Sequence, residues 1–83
     1  MPTVAVVEGI KIQLYWDEHP PPHFHAEFAE YRVIIDIETL EVLEGAIPRV
    51  QYRKVVAWAR TRQAALLEGW TACQADSHPG TIR

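Results

Sequence analysis

Along the first half of the chain, apolar residues recur at every second position, a spacing typical of half-buried β-strands. The clearest case runs from Ile10 to Trp16, where apolar and more polar residues alternate without interruption. Such runs are separated by residues that favour turns or cannot join a sheet ladder, above all the consecutive prolines after His19. We therefore predict four to five short strands, over about residues 3–7, 10–16, 23–28, 31–37 and 41–44.

The periodicity changes in the second half of the chain, where apolar residues recur at helical spacing over residues 48–74. Pro48 suits the first position of a helix. The apolar stripe is interrupted at Arg62 and Gln63, so we expect either one long helix or two consecutive helices with a break near Thr61. Strands followed by helices predict an α+β fold, an antiparallel β-meander covered on one face.

Length and composition predict one small globular domain. The chain has 83 residues, of which 48% are hydrophobic, enough for one packed core. We place the domain at residues 1–75. The polar segment 76–83, which contains Pro79 and Gly80, is expected to be a flexible tail.

Charge and cysteine content narrow the functional classes. The net charge of −3 makes nucleic acid an unlikely partner, because phosphate backbones are bound through an excess of Lys and Arg. The single Cys73 excludes an internal disulfide and a cysteine-based zinc site. Neither a leader peptide nor an apolar run of about 20 residues is visible, so we expect a cytoplasmic protein without a membrane partner.

The segment 18–25 is the most distinctive in chemistry, since it holds three of the four histidines around three consecutive prolines. Residues two apart on a strand share a face, so His23 and His25 should lie side by side. That spacing suits two ligands of one transition metal such as zinc, and Glu27 could add a carboxylate. Three extended prolines would hold His19 roughly 12 Å from His23, unless a cis X-Pro bond folds the run back.

The same histidines permit other interpretations, which the sequence leaves open. His23 and His25 could serve as acid and base in phosphodiester cleavage, with Asp17, Glu18 or Asp36 orienting one of them. Alternatively, the prolines form a stiff structural corner in which the histidines bond backbone carbonyls. A third possibility is a surface that binds another protein.

Trp58 is a second candidate for such a surface. On a continuous helix it would fall opposite the apolar stripe, and an exposed tryptophan indicates a protein interface. A helix break near Thr61 would instead return it to the core. We expect His19, His23, His25 and Trp58 to bind a partner, with no cofactor required.

Four features in chain order resemble a known bacterial family. They are MPTV at residues 1–4, EHPPPHFH at residues 18–25, IDIETLEVLEG at residues 35–45, and the helical tryptophans Trp58 and Trp70. Together they resemble the family called domain of unknown function 4160, over about residues 1–74. The resemblance implies a short cytosolic protein encoded beside another small protein, in a toxin–antitoxin-like unit. One departure is Leu40, at a turn position where the family more often has glycine.

From the residues and the resemblance we expect a non-enzymatic protein-interaction module. Its partner would be the product of the neighbouring gene or a second copy of the chain. The alternative is a histidine- or metal-dependent phosphodiesterase, such as a ribonuclease toxin, that uses His23 and His25. Zinc or another transition metal would enter only in this alternative.

Overall fold

A computed structural model describes residues 2–83, so Met1, the first residue of the predicted domain, lies outside the described residues. The elements follow the predicted order and confirm the α+β fold. They are β1 (Thr3–Val7), β2 (Ile10–Gln13), β3 (His23–Phe28), β4 (Tyr31–Asp36), β5 (Val42–Ala46), α1 (Arg49–Arg60) and α2 (Gln63–Gln74).

The strands form one antiparallel sheet in chain order, with β3 at its centre. In this register His25 lies opposite Gln13 of β2 and Ile34 of β4. Because successive side chains of a strand point to opposite faces, Phe24 and Ala26 are buried under the helices. His25 therefore belongs to the other face of the sheet.

The core lies between the sheet and the two helices. Its buried side chains include Ile12, Phe24, Val33, Ile35, Val55, Ala59, Leu66 and Trp70. The opposite face carries polar side chains and open clefts, lined among others by Tyr15, His25, Glu27 and Arg32. Within residues 2–83, no helix has the length and apolar character needed to cross a membrane.

The helical segment is broken near Thr61, as the second of the two predictions had it. Arg62 and Gln63, the residues that interrupt the apolar stripe, form hydrogen bonds that stabilise the junction between the two helices. The Gln63 side chain donates a hydrogen bond of 2.8 Å to the Ile37 carbonyl, which ties the start of α2 to the sheet. Arg62 donates to the Trp58 carbonyl at 2.9 Å, which closes the end of α1.

The segment after α2 returns to the sheet. Ile82 is buried in the core, and its N–H donates a hydrogen bond of 2.7 Å to the Val4 carbonyl. The flexibility predicted for residues 76–83 concerns motion and stays a prediction. The contacts of Ile82 show that part of this segment contributes to packing.

Leu40 occupies the turn between β4 and β5 with a φ of +62°, although it is not glycine. The turn is held by Asp36, whose carboxylate accepts hydrogen bonds from the N–H groups of Glu38 at 2.7 Å and Thr39 at 2.9 Å. The Leu40 side chain is 5% exposed and belongs to the core. Burial of the Leu40 side chain therefore offsets the free-energy cost of its left-handed backbone conformation.

Leu40→Gly is expected to destabilise the domain, even though glycine suits the turn. The left-handed conformation costs leucine roughly 1–2 kcal/mol, while losing a buried leucine side chain costs roughly 2–5 kcal/mol. The free energy of unfolding, measured in urea, should fall by about 1–3 kcal/mol. The control is Ala29→Gly, at an exposed residue with a φ of +53°, which should be neutral or stabilising. A more stable Leu40→Gly variant would contradict this balance of energies.

Candidate metal centre

The loop between β2 and β3 brings Glu18 to the start of β3. Its position is fixed by the end of α2, because the Gln74 side chain donates a hydrogen bond of 2.7 Å to the Glu18 carbonyl. The Trp16 indole donates to the Ser77 carbonyl at 3.2 Å. The peptide bond between Pro20 and Pro21 is cis. The loop is thus held against the C-terminal end of α2.

Glu18, His23 and His25 form a compact cluster in which one ligand atom from each residue lies within 4.8 Å of the others. Glu18 Oε1 is 2.6 Å from His25 Nε2 and 3.5 Å from His23 Nε2. The side chain of His23 is 9% exposed, and those of His25 and Glu18 are 24% and 28% exposed. Two imidazoles and one carboxylate are a common donor set for zinc and other first-row transition metals.

The hydrogen bonding of His23 determines which of its nitrogens can act as a ligand. His23 Nδ1 lies 2.7 Å from the Pro21 carbonyl oxygen, which can only accept a hydrogen bond. Nδ1 therefore carries a proton, and Nε2 is the ring nitrogen that can bind a metal ion when it is unprotonated. Metal-bound histidines are oriented in this way by a carbonyl behind the ring.

The Nε2 atom of His23 faces the Glu18 carboxylate, with 3.5 Å between Nε2 and Glu18 Oε1. A second proton on the ring would make this contact an ion pair. With one proton only, on Nδ1, the Nε2 atom can bind a metal ion instead.

The charge of Glu18 follows from its surroundings. Burial by itself would raise the pKa of Glu18, but the hydrogen bond with His25 and the electrostatic and hydrogen-bonding interactions with the two imidazoles together hold this pKa below its usual value. The carboxylate is therefore ionised at neutral pH, the form that binds a metal ion.

Aromatic rings fix the orientation of both imidazoles. The Tyr15 ring lies 4.2 Å from the His25 ring in an edge-on arrangement, and its hydroxyl donates to the Gln13 side chain at 3.0 Å. The Trp70 ring of α2 lies 4.8 Å from the His23 ring. Side chains held by such contacts lose little further freedom when they bind a ligand.

The structure brings His23 and His25 together, as the strand period predicts, but it does not add Glu27. The Glu27 carboxylate instead lies 3.3 Å from Arg32 Nε. Glu18, which the sequence suggested only as an orienting residue, takes the carboxylate position. No strand or helix spacing connects Glu18 with the histidines. The sequence feature that could have identified it is its position as the first residue of the EHPPPHFH segment.

The other predicted site residues lie apart from this cluster. His19 is exposed and lines a cleft of about 230 Å³ with His23, outside the three-residue cluster. The helix break leaves Trp58 half-buried against the core, with the Arg62 guanidinium 5.2 Å from its ring centroid. Asp36 lies opposite His23 in the sheet, but its carboxylate serves the following turn.

An open cleft of about 370 Å³ adjoins the cluster on the uncovered face of the sheet. Glu18 and His25 form part of its wall, so a ligand in the cleft could reach an ion held by them. The rest of the wall includes Gln13, Tyr15, Glu27 and Arg32. The arrangement is that of an ion site with an accessible side.

Comparison with curated proteins and with solved structures finds no match. The family model described as Domain of unknown function (DUF4160) matches residues 9–71. This span covers most of the chain and includes Glu18, His23 and His25. The chain therefore belongs to the family domain of unknown function 4160.

Proposed function

We propose that the protein binds one divalent transition-metal ion through the Glu18 carboxylate and the Nε2 atoms of His23 and His25. The observation that carries this proposal is the cluster itself, in which ligand atoms of Glu18, His23 and His25 lie within 4.8 Å of one another and the Pro21 carbonyl orients the His23 ring. Ligand atoms about 2.0–2.1 Å from a tetrahedral zinc ion lie roughly 3.3 Å apart. The separation of 3.5 Å between Glu18 and His23 is close to this value.

Binding requires only local adjustment at His25. The contact of 2.6 Å between His25 Nε2 and Glu18 Oε1 is a hydrogen bond, so an ion must displace the proton between them. Both side chains are partly exposed, which gives them room to separate by the fraction of an ångström that the ion needs. Metal binding should therefore release a proton.

Three protein ligands leave a position open for water, as in catalytic zinc sites. An ion held by Glu18, His23 and His25 would lower the pKa of a water molecule bound at that position and so supply a nucleophile. Such a nucleophile would allow the protein to act as a metal-dependent phosphodiesterase. The hydroxide oxygen would form a bond to phosphorus, the ester P–O bond would break, and the leaving oxygen would take a proton from water. The cleft beside Glu18 and His25 provides space for a small phosphodiester.

Metal stoichiometry tests the proposal directly. Protein without a histidine tag should retain about one zinc ion per chain after dialysis, measured by elemental analysis and by competition with a chromophoric chelator. The His78→Ala variant is the control, because His78 is exposed and lies outside the cluster. It should keep full stoichiometry. A wild-type protein that retains none of zinc, cobalt, nickel or manganese would overturn the proposal.

Activity follows as a second measurement. The zinc-loaded protein should hydrolyse bis(p-nitrophenyl) phosphate, and removal of the ion by a chelator should abolish the reaction. If the zinc-loaded protein hydrolyses the substrate no faster than free zinc does, the phosphodiesterase proposal is wrong and only the proposed metal binding remains.

A second candidate is the non-enzymatic interaction module of a bacterial, cytoplasmic two-gene unit. It is favoured by β5, an edge strand whose Val42 and Leu43 are 45% and 47% exposed. Leu43 borders the same cleft as His19 and His23, so the histidine–proline edge and the edge strand form one surface. A strand of the partner could add to β5.

Co-elution with the neighbouring gene product tests this second candidate. The wild-type chain should elute with that protein, and Leu43→Glu should weaken the complex. Clean separation of the two wild-type proteins would count against the interaction module, whereas a shift of the chain alone would indicate self-association.

A further inference from the structure

Arg32 shares the uncovered face of the sheet with the metal ligands. It lies opposite Glu27 in the register of β3 and β4, while His25 lies opposite Ile34. Arg32 and His25 are therefore diagonal neighbours on one face. Diagonal neighbours in an antiparallel pair are roughly 7–8 Å apart, within reach of a long side chain.

Arg32 is also the only Lys or Arg that lines the three clefts described on this face. It borders the cleft of about 370 Å³ together with Glu18 and His25, and a second one of about 250 Å³ together with His25 and Glu44. The acidic residues Glu18, Glu27 and Glu44 form the other charged walls. One cation thus stands among three carboxylates.

Glu27 positions the Arg32 side chain but leaves part of the guanidinium free to bind a ligand. Its Nε is 3.3 Å from Glu27 Oε2, and the side chain is 83% exposed. The two Nη groups form no hydrogen bond with residues 2–83. A guanidinium with free Nη groups suits two oxygens of one oxyanion.

We propose that the metal-loaded protein binds a small phosphoryl compound, with one phosphate oxygen on the ion and another on the Arg32 guanidinium. This inference rests on the proposed metal site. Without the ion, the three carboxylates would repel an anion, so the affinity for phosphate depends on metal loading. The net charge of −3 and the carboxylates that line these clefts disfavour a polynucleotide, so the inferred ligand is a small molecule.

Titration of the cobalt-substituted protein with inorganic phosphate tests the inference, because the cobalt spectrum reports a new oxygen ligand. The wild-type protein should bind phosphate when loaded with metal and lose this binding when the metal is removed. Arg32→Gln should weaken phosphate binding by roughly 10- to 100-fold, the effect of one charge-assisted hydrogen bond. Arg53→Gln is the matched control and should bind phosphate as the wild-type protein does, because Arg53 is exposed and lines none of the three clefts.

Metal content is measured in every variant before the titration. If the wild-type protein takes up no cobalt, the proposed metal site itself has failed. If metal uptake is normal and Arg32→Gln binds phosphate as tightly as the wild-type protein, the role of Arg32 is overturned and the metal site stands. Equal phosphate affinity with and without metal would also overturn the inference.

Discussion

Gly45→Ala is expected to lower the free energy of unfolding by roughly 2–5 kcal/mol, because the cost of the backbone conformation and the cost of a steric overlap add at this position. Gly45 has a φ of +80°, a conformation that costs other residues about 1–2 kcal/mol. A Cβ at this position would overlap the Arg32 carbonyl oxygen, so β5 would have to move away from β4. A domain of this size is stable by roughly 4–12 kcal/mol, so much of the margin would be lost.

The matched control is Gly9→Ala, in the turn between β1 and β2. Gly9 has a φ of +84°, but a Cβ there would meet no atom within 4 Å. This variant should lose only about 1–2 kcal/mol, the cost of the backbone conformation. Urea denaturation followed by tryptophan fluorescence gives both values. Equal losses in the two variants would show that the contact with Arg32 relaxes at no cost.

Glu18→Gln is expected to weaken zinc binding on the order of 100- to 1000-fold, because a neutral amide is a poor zinc ligand of nearly the same shape. His25→Ala should have an effect of similar size. Both side chains are partly exposed, so the domain should stay folded, which circular dichroism can verify. Chelator competition measures the affinities.

The control for the ligand assignment is Glu27→Gln. Glu27 lies on the same strand face as the histidines but is paired with Arg32, so zinc affinity should change only a few-fold. The opposite result, with Glu27→Gln impaired and Glu18→Gln normal, would show that the strand spacing identifies the carboxylate ligand and that the loop does not.

The sheet could be predicted because burial on one face imposes the period of two. The differences arise where burial and strand pairing end at different residues. β2 ends at Gln13, whose partner is His25, although the apolar alternation continues to Trp16. Leu14 is still buried, but its N–H bonds the Pro2 carbonyl outside the sheet ladder. The spacing of apolar residues therefore predicts which side chains are buried, but it does not predict where the hydrogen bonds between strands end.

The candidate site could be predicted only as far as the strand reaches. The period of two places His23 and His25 together, because both lie on β3. Glu18 lies in a proline-containing loop whose path has no repeating geometry, and its position depends on Gln74 at the end of α2, 56 residues further along the chain. The burial of Trp58 likewise depends on whether the helix breaks near Thr61. The interrupted apolar stripe is compatible with a break but does not require one.

The three proposed ligands lie within the short segment from Glu18 to His25. An unfolded chain keeps these ligands as close neighbours in sequence, so it retains some affinity for the ion. By linkage, a metal stabilises a fold only by the difference between its affinities for the folded and unfolded chains. The melting temperature should therefore rise less on zinc loading than the affinity of the native site alone implies. The fold contributes orientation to this site more than proximity.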